Sequence, residues 1–283
     1  MDISVGLPSH VPGVKRSDII AWARRAEELG FASLVATDRF AWDQLDPLTV
    51  LATAGAVTDT IRLRTSVMLL PNRGASGPLA KQIATLQHMV EGRLELGVGV
   101  GDRDIDYRLA DGQHRGRHRR LEVMLEELAS IWAGEGEYAV MGPRPDRAIS
   151  IMVGGTGEKA WERVAKYASG WTFAVGSPDD FAAGVKGVRD TWLTHGRSGV
   201  PRVAAQRYFN VTEQQRPVGE QFIRDYFGFL GPAVDYLIAA SPLDGDSVLG
   251  VAEAFRQAGA DELAMLPTST DLGELERLAE LTL

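Results

Sequence analysis

Two aspartates and two glycine-rich turns carry the chemistry this sequence could do. Asp38 follows the apolar run Ala32 to Ala36, and Asp102 follows Leu94 to Val98 and a string of glycines. A carboxylate at the end of a buried strand, pressed against a ring, has its pKa raised by burial and can then handle protons near neutrality. Each aspartate also has an arginine beside it, Arg39 and Arg103, so a paired structural carboxylate is the other reading. Gly154-Gly155-Thr156-Gly157 lies between a strand-like run and a helix expected from about Glu158. Glycines let backbone N–H groups approach an anion closely, and a helix N-terminus favours negative charge. Gly176-Ser177 opens the next helix in the same way, so the two turns together could cradle one phosphate. Taken singly, each is also ordinary turn chemistry.

Other candidates fall away on spacing. Gly97-Val98-Gly99-Val100-Gly101 is not a dinucleotide fingerprint, because Asp102 and Asp104 stand where the last glycine of G-x-G-x-x-G is required. At a strand end such glycines either let a flat ring lie against the backbone or simply taper the strand. His114 and His118 are four apart, but arginines at 115, 117, 119 and 120 would surround any metal there. That stretch reads as a solvated loop or helix start with ion pairs. With no cysteine and five histidines, a disulfide scaffold, an iron–sulfur cluster, a thiol nucleophile and a thiolate zinc site are excluded. No metal site is expected. The net charge of −8 argues against nucleic acid and anionic membranes as partners.

The elements that must position these residues alternate along the chain. Short apolar runs cover Ile3–Leu7, Ala32–Ala36, Ile61–Leu70, Leu94–Val98, Ile149–Val153, Trp171–Val175, Val203–Asn210 and Glu262–Leu266. Between them lie segments of helical period, such as Leu79, Ile83, Leu86 and Met89, or Leu121, Leu125, Leu128 and Ile131. Residues 218–258 read as two helices broken near Ser241-Pro242. Eight strands in βα order, several apolar on both faces, imply one α/β domain over 1–283, a closed (β/α)8 TIM barrel. Barrel active sites lie at the C-terminal ends of the strands. Asp38, Asp102 and both glycine turns fall at such ends. The start Met1-Asp2-Ile3-Ser4 lacks an export signal, and no apolar run spans a bilayer. A cytoplasmic location is expected.

The order of these motifs resembles the bacterial-luciferase-like family of flavin- and F420-dependent oxidoreductases. The resemblance rests on Ala26-Glu27-Glu28-Leu29-Gly30-Phe31 with Ser33 to Asp38, on Ala80-Lys81-Gln82 through Glu91-Gly92-Arg93-Leu94 and Leu96 to Gly99, on Ile151 to Gly155, and on Ala168-Ser169-Gly170-Trp171. It implies a cofactor at the C-terminal rim, F420 or alternatively FMN. Gly154, Gly155 and Thr156, with Val175, Gly176 and Ser177, would hold its phosphate. Val100 and Gly101 would face its ring, and Ser66-Val67 matches the place where F420-using relatives carry a non-proline cis peptide. Asp38 and Asp102 match carboxylates near the deazaflavin, and either would relay a proton. The implied activity is hydride transfer to or from a small organic substrate, or oxygen activation with reduced FMN. Arg39 and Phe40 stand where the family commonly has histidine, the feature that favours a non-catalytic flavin-binding relative as the competing class. Val100 replaces the arginine that binds FMN phosphate in bacterial luciferase. A short segment after strand seven implies an open substrate side. Family members often pair through barrel helices, so a homodimer or higher homo-oligomer is expected.

Overall fold

The computed structural model describes residues 1–283. In chain order the elements are β1 (Asp2–Gly6), α1 (Arg16–Leu29), β2 (Ser33–Ala36), α2 (Pro47–Gly55), β3 (Arg62–Leu69), α3 (Ser76–Met89), β4 (Leu94–Gly99), α4 (Asp104–Leu109) and α5 (Arg117–Ala133). There follow β5 (Ser150–Gly154), α6 (Glu158–Tyr167), β6 (Gly170–Phe173), α7 (Pro178–Thr194), β7 (Arg202–Phe209), α8 (Arg216–Tyr226), α9 (Val234–Ala240), α10 (Gly245–Gln257), β8 (Glu262–Pro267) and α11 (Leu272–Thr282). The strands are parallel and close into a barrel in sequence order, β8 pairing back onto β1. Every residue of β2, β4, β6 and β8 is buried, because barrel strands face side chains inward and helices outward. The helical stripes turn onto them as their spacing requires: Ile19, Trp22 and Ala26 of α1, and Phe181, Val185, Val188 and Trp192 of α7, are all buried. No helix is long and apolar enough to cross a membrane.

The two ends of the barrel differ in chemistry. Ion pairs fill the N-terminal end. Arg64, 1% exposed, meets Glu262 at 2.8 Å, and Arg202 reaches Glu95 at 3.2 Å. Burial would raise the Glu262 carboxyl, but Arg64 and Arg202 outweigh it and hold it below the usual range. That end is therefore packed and closed, and the mouth lies at the C-terminal end.

One irregularity shapes the mouth. Pairing of β3 with β4 runs to Thr65–Leu96 and resumes at Met68–Val98, so β3 carries one extra residue. The bulge contains Ser66-Val67, whose peptide bond is cis. Bulges of this kind re-aim a side chain beside a site.

Residues 211–244 differ from the sequence expectation. The chain breaks near Ser241 as expected, but also at Phe227–Ala233, where Gly231 takes φ +57° and Pro232 follows. Two helices, α8 and α9, thus precede the barrel helix α10 where one was expected, and they cover part of the mouth. Phe222 and Tyr226 of α8 fold over the mouth against Tyr208 and His10. The apolar face of α8 has nowhere else to bury, which overrides the short length of the insertion.

His10 sits fully buried in that cluster. Its ring lies 5.6 Å from Tyr208 and 5.5 Å from Phe222, and Nε2 donates to the Pro267 carbonyl at 2.8 Å. Burial lowers its pKa to about 4. The unfolded chain, with an ordinary histidine near 6.5, therefore takes up the proton first as pH falls. Stability from this residue is intact above pH ~6.5 and is lost on descending toward pH 4, by up to about 3 kcal/mol. Urea unfolding of wild type and His10→Gln between pH 4 and 7 checks this. The variant should show the shallower pH slope.

Candidate active site

A cavity of about 570 Å³ opens at the C-terminal ends of β3, β4, β5 and β6. Seven of the expected cofactor-facing residues line it: Ser66, Val67, Val100, Gly101, Gly154, Gly155 and Thr156. Asp102 lines it too, and is the one carboxylate that does. Positions up to 140 residues apart in sequence, Ser66 and Gln206, meet here because parallel strands deliver their C-terminal ends to one rim.

Close packing around Val67 explains the glycines. A Cβ on Gly99 would lie 2.7 Å from Val67 Cγ2, and one on Gly154 would lie 3.2 Å from Cγ1. Larger residues at either position would push Val67 away, so β4 and β5 end in glycine where the bulge of β3 leans over them. Ser66 Oγ donates to Gln206 Oε1 at 2.7 Å and braces the segment from the opposite strand. The result is a smooth wall of backbone and one isopropyl group.

The β5–α6 turn forms the other end of the cavity. Gly155 and Gly157 adopt φ +123° and +83°, values that L side chains rarely take. No side chain hydrogen-bonds to the first-turn amides of α6, although the exposed Glu158 stands in that turn. Lys159, Arg163 and His118 line the same end. Lys159 makes no ion pair, whereas Arg163 Nε donates to Glu122 at 2.8 Å. Burial, then Arg163 and Arg117, lowers the His118 imidazole below its usual range, and it is neutral at pH 7. The sequence reading of His118 as part of a solvated loop missed this placement. It also missed Lys159, Arg163 and Gln206. The one available signal was that 159 and 163 stand one turn apart at the start of a helix that opens on glycines.

Val175, Gly176 and Ser177 do not join the cavity lining. The α7 opening is already satisfied from within. Asp180 Oδ2 accepts from both the amide and the hydroxyl of Ser177 at 2.8 Å, a capping box. The Gly176 carbonyl accepts from Arg207, and Val175 faces a neighbouring small pocket. An incoming anion would meet the Asp180 carboxylate there. The two turns that look alike in sequence therefore differ: the β5–α6 turn has no side-chain cap and lines the cavity, and the β6–α7 turn is closed by its own capping box.

Asp38 is also absent from the cavity lining. Its side chain is 3% exposed and paired with Arg73, and Oδ2 accepts from Leu69 N at 2.9 Å. Burial pushes its carboxyl up against the pull of Arg73. With both oxygens engaged, Asp38 ties the end of β2 to the end of β3, two residues beyond the cis bond. Asp38→Ala strands Arg73 with Asp46 alone and should cost about 3 kcal/mol in a denaturant titration. Asp102 is its opposite: 83% exposed, at the lip of the cavity, 3.4 Å from Arg117.

A broader groove of about 1160 Å³ runs outside the barrel along α2 and α3. It has none of the strand-end glycines 99, 101, 154 and 155.

A family model described as luciferase-like monooxygenase matches residues 1–272. The chain belongs to that family. An uncharacterized protein of Mycobacterium tuberculosis (strain ATCC 25618 / H37Rv) is 36% identical over 176 residues, 57% of this chain and 61% of the relative. The match thus spans about three-fifths of that relative's length. An F420-dependent glucose-6-phosphate dehydrogenase of Nakamurella multipartita is 30% identical over 209 residues, 66% of this chain and 58% of the enzyme. In structure, an F420-dependent secondary alcohol dehydrogenase, solved with an F420-acetone adduct, superposes with a TM-score of 0.83 at 17% identity, covering 99% of this chain and 98% of the other. That likeness establishes the barrel fold.

Proposed function

We propose that this protein is an F420-dependent oxidoreductase acting on a small organic substrate, with the rim cavity as the cofactor berth. One observation carries the reading: a single cavity joins a smooth glycine-backed wall at Val67 to a cationic end at Lys159, Arg163 and the uncapped start of α6. A flat ring with a phosphorylated tail fits both halves. The volume lies within the ~300–1,000 Å³ usual for such ligands, and a Cβ at Gly99 or Gly154 would crowd the wall. The 30% identity to an F420-dependent glucose-6-phosphate dehydrogenase and the valine at 100 support F420 over FMN.

When bound, the deazaflavin supplies hydride transfer. The chain supplies the rest. Val67 and the glycines would back the ring, and Lys159, which has no acidic partner, would neutralise the phosphate, Arg163 being held by Glu122. Gln206, hydrogen-bonded to Ser66, holds the bulge in place. The Asp102 carboxylate, at the lip and beside His118, is placed to take or give the substrate's proton. Asp38 acts by positioning Arg73 and the end of β3.

Titration of purified protein with F420 and FMN separately, followed by absorbance, tests the reading. F420 should bind at least about tenfold more tightly, a difference near 1.4 kcal/mol. Tighter binding of FMN overturns the choice of F420 and points to a reduced-flavin monooxygenase. Binding of neither overturns the site.

A further inference from the structure

We propose that Arg39 and Arg103 form a binding pair for an oxyanion group of the substrate, a carboxylate or phosphate, with the backbone carbonyl of Tyr226 now holding its place. This rests on reading the mouth as the substrate side. The two residues follow β2 and β4 and converge on one atom. Arg103 Nη2 donates to Tyr226 O at 2.6 Å, and Arg39 Nη1 donates to the same oxygen. Both also stack on shared rings: Arg39 Cζ lies 4.4 Å from the Tyr226 centroid, and Arg103 Cζ lies 3.9 Å from that of Phe229.

Neither guanidinium has a carboxylate oxygen within 4.0 Å. The nearby acids are engaged elsewhere. Asp106 accepts from Ala41 N at 2.6 Å and attracts Arg39 only at longer range, and Asp38 is held by Arg73. Arg103 is 8% exposed, and its Nη1 has no partner; Arg39 Nε is likewise orphaned. Two neighbouring cations, largely desolvated and without a counter-charge, form a costly arrangement. Tyr226 ends α8, so its carbonyl brings the partial negative charge of a helix C-terminus. Capping of α8 accounts for the two bonds to that carbonyl. It does not account for the unused donors or the missing negative charge. An oxyanion supplies both, since its paired oxygens match the guanidinium fork.

Calorimetric titration of the cofactor-free protein with methyl phosphate and with acetate, at low and high salt, tests the pair. Saturable binding of either probe is expected, weakened at least about tenfold in Arg39→Gln and in Arg103→Gln. Which probe binds tells a phosphate-bearing substrate from a carboxylate. Absence of binding by wild type, or binding by both variants as tight as wild type, overturns the proposal. Arg39→Gln, at the less buried position, stays informative if Arg103→Gln does not fold. F420 affinity measured on the same samples separates the two readings. Anion binding without F420 or FMN binding sinks the cofactor assignment alone, and F420 binding without anion binding sinks this one alone.

Discussion

Gly97→Ala should lose about 3 kcal/mol of stability, the largest loss expected from any single methyl group added near the site. The reason lies in the bulge. A Cβ at Gly97 would stand 1.9 Å from the Thr65 carbonyl oxygen, which is backbone and cannot rotate aside. Thr65 is fixed in turn, because its hydroxyl donates to the Gly97 carbonyl at 2.7 Å and its strand pairs on both edges. Gly99→Ala offers the contrast. Its new methyl meets the end of the Val67 side chain at 2.7 Å, which can shift at a cost of about 1 kcal/mol. Urea unfolding should thus rank Gly97→Ala well below Gly99→Ala. The order reverses in a second assay: Gly99→Ala folds but displaces Val67, so its cofactor affinity falls. Equal stability of the two variants would show that β3 and β4 are not packed as described.

Lys159→Glu should weaken binding of F420, the proposed cofactor, by about 100-fold, with little change in stability. Lys159 is exposed and unpaired at the start of α6, so reversing its charge breaks no contact within the protein. It places a carboxylate where the open cradle expects an anion. Arg163 cannot compensate, because Glu122 already holds it. The parallel change at the neighbouring turn, Ser177→Ala, removes a helix cap and leaves affinity unchanged, since Asp180 already occupies that opening. Equilibrium titration of both variants with F420 and with FMN checks the pair. Comparable losses at 159 and 177 would restore the two-turn phosphate cradle that the sequence suggests.

The barrel was legible because its signals are local. Eight apolar runs, stops at Gly30, Gly92 and Gly134, and stripes such as Phe181 to Trp192 each state an element within a few residues. Strand count then dictates closure, and closure places the glycines and Asp102 on one rim. Where reading failed, the deciding partner lay far away in sequence. Asp38 is paired, as one of its two readings allowed, but with Arg73, 35 residues on, and not with the adjacent Arg39. Lys159, Arg163 and His118 look like surface charges until α5 and α6 bring them to one cavity. Ser177 is a different case. Its capping partner Asp180 is only three residues away, and the same acid that marks the helix start should have excluded an anion there. The plug over His10 could not be foreseen from length, because what matters is that Phe222 and Tyr226 fall on one face of α8.

The molecule carries a net charge of −8, yet three cations without an acidic partner stand at its mouth, Lys159 on one side and Arg39 and Arg103 on the other. Such a patch, set in a molecule of net negative charge, attracts anions locally. Encounter with a negatively charged molecule should therefore be faster than random collision allows, and added salt should slow arrival far more than departure.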